Sequence, residues 1–154
     1  MLTRIQSLYL FLAAMLALGS MTQPFWSFHT TQTFLIGDFA QLDGTGIIVT
    51  AGNMAGGIFS PLTGITSIAA ILVFKNRKLQ QQLILLCFVL FVGDILSGLI
   101  AAHFLNEALH KGVVEVTHSP ANGLFMLLPE PILFWLALTG VKKDEKIATA
   151  YKRL

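Results

Sequence analysis

The sequence predicts an all-α membrane protein, a bundle of four transmembrane helices. Three observations predict it. Of 154 residues, 55% are hydrophobic and only 12% charged, with a mean hydropathy of +0.73. A soluble domain carries about 25% charged residues, so this chain has too little polar surface to coat a particle in water. Four apolar stretches, roughly 5–22, 54–74, 82–105 and 122–141, each match the ~17–25 residues a spanning helix needs. Nine of the ten basic residues fall on one side of those stretches. The whole of 1–154 then reads as a single domain.

The first stretch follows Arg4 and ends in the small residues Ala17, Gly19 and Ser20. That pattern also fits a secretory signal peptide; a retained signal-anchor is the reading taken. Lys75, Arg77 and Lys78 fill the short link between the second and third stretches, and Lys142, Lys143, Lys146, Lys152 and Arg153 follow the fourth. Only Lys111 lies on the other side. The positive-inside rule therefore puts both termini in the cytoplasm, in a multi-pass protein of the bacterial inner membrane, with these basic residues as cytoplasmic anchors.

The outer loops differ from the inner link. Residues 23–53 hold "QTFLIGDF" and "GIIVT", joined by a stretch with Asp43-Gly44. β-Branched and aromatic residues around a turn dipeptide predict a small β-hairpin. Phe25, Trp26 and Phe28 lead into it as an expected interfacial aromatic belt. The second outer loop, 106–121, holds Glu107, His110, Lys111, Glu115 and His118.

Two acids lie inside apolar stretches. Glu130 stands between Pro129 and Pro131 in "MLLPEPILFW", about nine residues into the fourth stretch, or roughly 13 Å deep. Asp94 in "FVGDILSG" lies at nearly the same level in the third. A central aspartate costs about 2.5–3.5 kcal/mol to insert. No lysine or arginine lies at that depth in the sequence. The acids are therefore expected to be protonated, to share a proton, or to be matched by a group from a partner subunit. Pro129 and Pro131 free the carbonyls of Phe125 and Leu127, and Pro61 frees that of Gly57, so these three prolines are expected to kink their helices. A protonated Glu130 is the expected donor to such carbonyls, with Ser60 and Thr63 as others at that depth. Gly93, Ser97 and Ala101, and Gly98 with Ala102, make small-residue stripes that let helices approach. The expected intramembrane polar cluster is Asp94, Glu130, Ser60, Thr63 and Ser97.

Other chemistries are weakly supported. No basic face interleaved with aromatics suggests nucleic acid. A single cysteine, Cys87, excludes an intrachain disulfide and a multi-thiolate metal site. His29, His103, His110 and His118 all fall near the outer side, in no strong ligand spacing, so loop or interface histidines are the default over metal or haem ligands. Hydrolase and phosphate-loop motifs are absent, and "GNMAGG" lacks the lysine a phosphate cradle needs.

Three stretches carry a resemblance. "RIQSLYLFLAA" at Arg4–Ala14, "FKNRKLQ" at Phe74–Gln80 and "VKKDEKIA" at Val141–Ala148 resemble a family of small four-span membrane proteins, found mainly in Bacteroidota, whose function is unknown. The resemblance implies four spans, an inner-membrane location and no known activity. It offers no catalytic residues to carry over. Members commonly end in an aspartate–arginine pair, where this chain has Tyr151 and Lys152.

Taken together, the residues lead to a non-enzymatic accessory or scaffold subunit of a larger inner-membrane complex, with other integral membrane subunits and the bilayer as partners. No cofactor or metal is expected, although lipid could fill a groove. The alternative is a small proton- or ion-coupled transporter using Asp94 and Glu130.

Overall fold

The structure is a computed structural model that describes residues 3–42, 45–112 and 115–151, without the side chains of residues 3, 4 and 151. Helix α1 spans Thr3–Ser20; strands β1 (Trp26–His29) and β2 (Thr33–Ile36) follow, then α2 (Ile47–Leu72) and α3 (Arg77–His110). Strand β3 (Thr117–Pro120), the short helix α4 (Asn122–Leu127) and α5 (Glu130–Tyr151) complete the order.

Three helical segments are long and apolar enough to cross a membrane: Ile47–Leu72, Arg77–His110 and the combined Asn122–Ala150. The apolar part of α1, Ile5–Ser20, is shorter. It packs between α2 and α5. The helices bury small residues inward and turn large ones outward. On α2 the buried face is Gly52, Asn53, Gly56, Gly57, Ser60, Thr63, Gly64, Ser67 and Ala70, at helical spacing. Ile58, Ile65 and Leu72 of the same helix are exposed, as are Val89 on α3 and Ile132 and Trp135 on α5. That inversion suits a chain surrounded by hydrocarbon.

The hairpin expectation is half corrected. Thr33–Ile36 is a strand, but it pairs antiparallel with β1, and β1 pairs on its other edge with β3 of the second outer loop. The result is a three-stranded sheet of order β2-β1-β3 that ties the α1–α2 and α3–α4 connections together. The β1–β2 turn lies at Thr30–Gln32, closed by Thr30 N–H to the Gln32 carbonyl at 3.0 Å. The expected turn dipeptide Asp43-Gly44 lies outside the described residues. "GIIVT" is not a strand. Gly46, at φ 98°, ends the loop, and Ile47 opens α2; Val49, Gly52 and Asn53 then all face inward. β-Branched residues misled here because a helix in a packed membrane bundle accepts them readily once its small residues face the neighbouring helix.

The aromatic belt is also corrected. Phe25 and Phe28 are buried, in a core with Ile36, Val49, Ala101, Ala102, Leu105 and Leu127 beneath the sheet. The proline expectation needs sharpening. Helix α2 continues through Pro61, whereas the fourth segment breaks at Leu128–Pro129. Pro131 falls in the first turn of α5, where a missing N–H costs nothing.

At the end of the bundle opposite the sheet, Asn76 caps α3 by accepting the Leu79 N–H at 3.2 Å. Gln6 donates to the buried Asp144 carboxylate at 2.9 Å, and the Arg77 guanidinium donates to the Asp144 carbonyl. Arg77 thus locks α3 to α5. The side chain of Arg4 and all of Lys152 and Arg153 lie outside the described residues.

Candidate functional site: a buried carboxyl seam

A polar seam runs down the inner face of α2. It starts at Asn53 and continues through Gly56, Ser60, Thr63 and Ser67, all buried. α3 contributes Asp94, Ser97 and Cys87, also buried. Ser60 donates to Asp94 Oδ2 at 2.8 Å, and Ser97 turns back to the Asp94 carbonyl at 2.8 Å. Thr63 is occupied locally, donating to the Phe59 carbonyl at 2.9 Å. Lower down, Ser67 Oγ meets Cys87 Sγ at 3.4 Å. Of the expected cluster, Asp94, Ser60 and Ser97 therefore come together, and Thr63 lines the same face.

Glu130 is the most sealed of the acids, 1% exposed. It lies within electrostatic reach of both Asp94 and Cys87. Neither of its carboxyl oxygens has a hydrogen-bond partner among the described residues. The expected bond from Glu130 to a proline-freed carbonyl is thus not made. Asp94, at 4%, and Glu130 both face the chain's own interior. A partner subunit cannot reach either one without opening the bundle.

The sequence did not single out a third acid, Asp38. It stands in the loop after β2, and that loop is pinned to α2. Phe39 N–H donates to the Asn53 carbonyl at 3.1 Å, and Asn53 Nδ2 donates to the Ala40 carbonyl at 2.8 Å. Phe39 adopts φ 57°, a left-handed conformation uncommon for a bulky residue and held here by those contacts. Its ring lies over Gly57, where a Cβ would meet ring carbons at 2.6 Å. The loop thereby carries Asp38 inward. A Cβ on Gly56 would stand 2.9 Å from Asp38 Oδ1, 3.4 Å from Asp94 Oδ1 and 3.6 Å from Ser97 Oγ. Two carboxyls and a hydroxyl thus surround one point, and glycine leaves it clear. The only sequence signal was an aspartate in the otherwise apolar run "FLIGDF", and the hairpin reading absorbed it.

Burial pushes the Asp38 carboxyl above its ordinary value of 3.8, and the nearby Ser60 hydroxyl offsets part of the rise. The folded state therefore keeps the Asp38 proton to higher pH than the unfolded chain does. Its contribution to stability is fully present below about 3.8 and is lost as pH climbs through the raised value. Asp38→Asn is expected to flatten that slope. Thermal midpoints of the two proteins across roughly pH 4 to pH 7 check it: their difference must narrow on the acid side.

Below the seam the interior turns apolar. Leu10, Ala13, Ala70, Ile84, Phe134, Ala137, Leu138 and Val141 form one core with Cys87. The carboxyls are thus connected toward the sheet-bearing loops and closed off toward the end of the bundle that holds the α2–α3 link. The histidines do not join them. His118 packs against Trp26 and Phe28, with ring centroids at 6.0 and 5.5 Å; His103 meets Phe104 at 5.6 Å; His29 bonds Thr33 at 3.3 Å. Among the described residues no three His, Cys, Asp or Glu side chains are grouped to hold a metal ion.

A family model described as a domain of unknown function (DUF4293) matches residues 2–154. The chain belongs to the DUF4293 family. No curated protein and no solved structure matches it. Membership covers nearly the full length, so the helices, the sheet and the carboxyl seam all fall within one family domain.

Proposed function

We propose that this is a four-span protein of the inner membrane, with both termini cytoplasmic, whose buried carboxyls take up protons from the outer side. Asp38 receives them, Asp94 passes them on, and Glu130 holds them at mid-bundle. The four-span reading draws support from α1. Its 18 residues reach roughly 27 Å at 1.5 Å each, close to a ~30 Å hydrocarbon core, and it turns Leu8, Phe11 and Met15 outward. The one-sided basic residues support the orientation.

The observation that carries the proton reading is the isolation of Glu130, sealed at 1% exposure with both oxygens unpartnered among the described residues. An ionised carboxylate there would cost far more than folding can offset. A metal ion would need several oxygen ligands around it, whereas a proton needs one oxygen. Glu130 also opens α5, and the positive end of that helix eases transient ionisation as a proton arrives or leaves. Infrared spectroscopy of the protein in nanodiscs tests this. A protonated-carboxyl stretch at neutral pH should disappear in Glu130→Gln and shift in Asp94→Asn. An unchanged band in both variants sinks the reading.

The apolar core beneath the seam favours a second element. One chain supplies proton entry, and the cytoplasmic exit is closed. We therefore keep the non-enzymatic accessory subunit of a larger membrane complex as the setting in which the seam works, with other integral subunits completing the route. Gentle-detergent extraction followed by native mass spectrometry should return a complex. A monodisperse lone chain from native membranes would leave only the small proton-coupled protein.

A further inference from the structure

The cytoplasmic border holds a feature unrelated to the seam. Between α3 and α5 lies a groove of about 770 Å³ lined by Gln81, Thr139, Lys142, Lys143, Glu145, Lys146 and Thr149. The lysines are exposed. Among the described residues they form no ion pair; the salt bridge there is Lys111–Glu107, at the outer end of α3. Glu145 is engaged instead by Gln81, whose Nε2 donates to Oε2 at 2.5 Å. That bond draws the lone acid toward α3, so three ammonium groups dominate the opening.

The groove also has an apolar continuation toward the membrane. Leu85 lies one turn from Gln81 on α3, and Trp135 one turn from Thr139 on α5, each on the same helix face as its partner. They are 50% and 61% exposed. Cationic groups at the border with an apolar flank above them match a molecule with an anionic head and hydrocarbon tails. A soluble anion would use only the first half.

We propose that this groove holds the headgroup of an anionic phospholipid, with its acyl chains along Leu85 and Trp135. Lys142 and Lys146, four residues apart on α5, bracket the phosphate; the Thr139 and Thr149 hydroxyls already donate to the Trp135 and Glu145 carbonyls, so the recognition is carried by the lysines. The proposal rests on the membrane orientation given above, and not on the chemistry of Glu130.

The test uses the full chain in nanodiscs of phosphatidylcholine with or without phosphatidylglycerol, read by native mass spectrometry and by thermal midpoint. Phosphatidylglycerol should be retained and should raise the midpoint. Lys142→Gln with Lys146→Gln should weaken its retention about 30-fold, given the typical contribution of each basic residue at an anionic surface. Lys75→Gln with Lys78→Gln removes the same charge from the same border outside the groove and should leave retention intact. Lys142→Arg with Lys146→Arg should also retain the lipid, which separates loss of charge from loss of fold. Equal weakening by the two glutamine pairs would overturn the proposal in favour of diffuse surface charge. Equal stabilisation by inorganic phosphate in phosphatidylcholine nanodiscs would overturn it in favour of a soluble anion. No preference for phosphatidylglycerol would overturn it outright. The infrared signature of Glu130 does not involve these lysines, so failure of either test leaves the other readable.

Discussion

Glu130→Met is expected to stabilise the protein by about 1–3 kcal/mol, the usual cost of leaving a buried polar group without a partner. Most core substitutions destabilise, so the sign is the informative part. Glu130 is 1% exposed and, among the described residues, bonds to nothing through either oxygen. Methionine fills a similar volume, adapts to its surroundings and removes the orphaned carboxyl. Glu130→Gln keeps a polar group in the same place and should gain little. Both variants should lose the infrared carboxyl band. If Glu130 instead anchors the bundle, methionine will destabilise by a comparable amount. Unfolding in mild detergent, followed by tryptophan fluorescence with the wild-type chain alongside, measures the difference. A stabilised protein that has lost proton uptake would mark a site where function is kept at the expense of stability.

The helices were legible because their signal is cumulative. Dozens of apolar residues and nine one-sided basic residues agree, and no single substitution would hide them. Asp94 was legible because a carboxyl at mid-helix in an apolar stretch is rare. Ser60 and Ser97 followed from depth and helical spacing, and the structure joins both to Asp94. Asp38 was not legible, because its position depends on a non-local event. The loop must fold back and bond Asn53 before that acid comes near Asp94. The third strand was hidden for the same reason: Thr117–Pro120 reads as plain loop until β1 offers it an edge. Gly98 shows how a correct stripe can carry the wrong partner. Its small size admits the Phe25 ring, against which a Cβ would stand at 2.7 Å, and not a neighbouring helix. Local pattern gives the element and its inward face, while the partner on that face is set by pairing across the chain.

Gly52→Ala is expected to cost about 1–3 kcal/mol, the range for overpacking a close contact, and to disturb the seam as well. A Cβ at residue 52 would lie 2.8 Å from Ala101 Cβ and 2.9 Å from the Ser97 carbonyl. One of these neighbours is backbone, which cannot rotate away, so α2 and α3 must part. The strain falls on the helix pair that carries the Ser60–Asp94 bond of 2.8 Å, and the Glu130 carboxyl band, which responds to Asp94, should move with the thermal midpoint. Ala101→Gly in the same chain relieves the first clash and leaves the second. The double variant should therefore recover only part of the loss, the more so because glycine in a helix itself costs ~1 kcal/mol relative to alanine. Gly112→Ala is the control: among the described residues a Cβ there meets nothing within 4 Å, and surface changes of that kind stay within about 0.5 kcal/mol. If Gly52→Ala behaves like Gly112→Ala, the close approach of α2 to α3 is wrong. The shared point between Asp38 and Asp94 would then lose the wall that holds it, because Gly56 lies on the same face of α2 one turn further along.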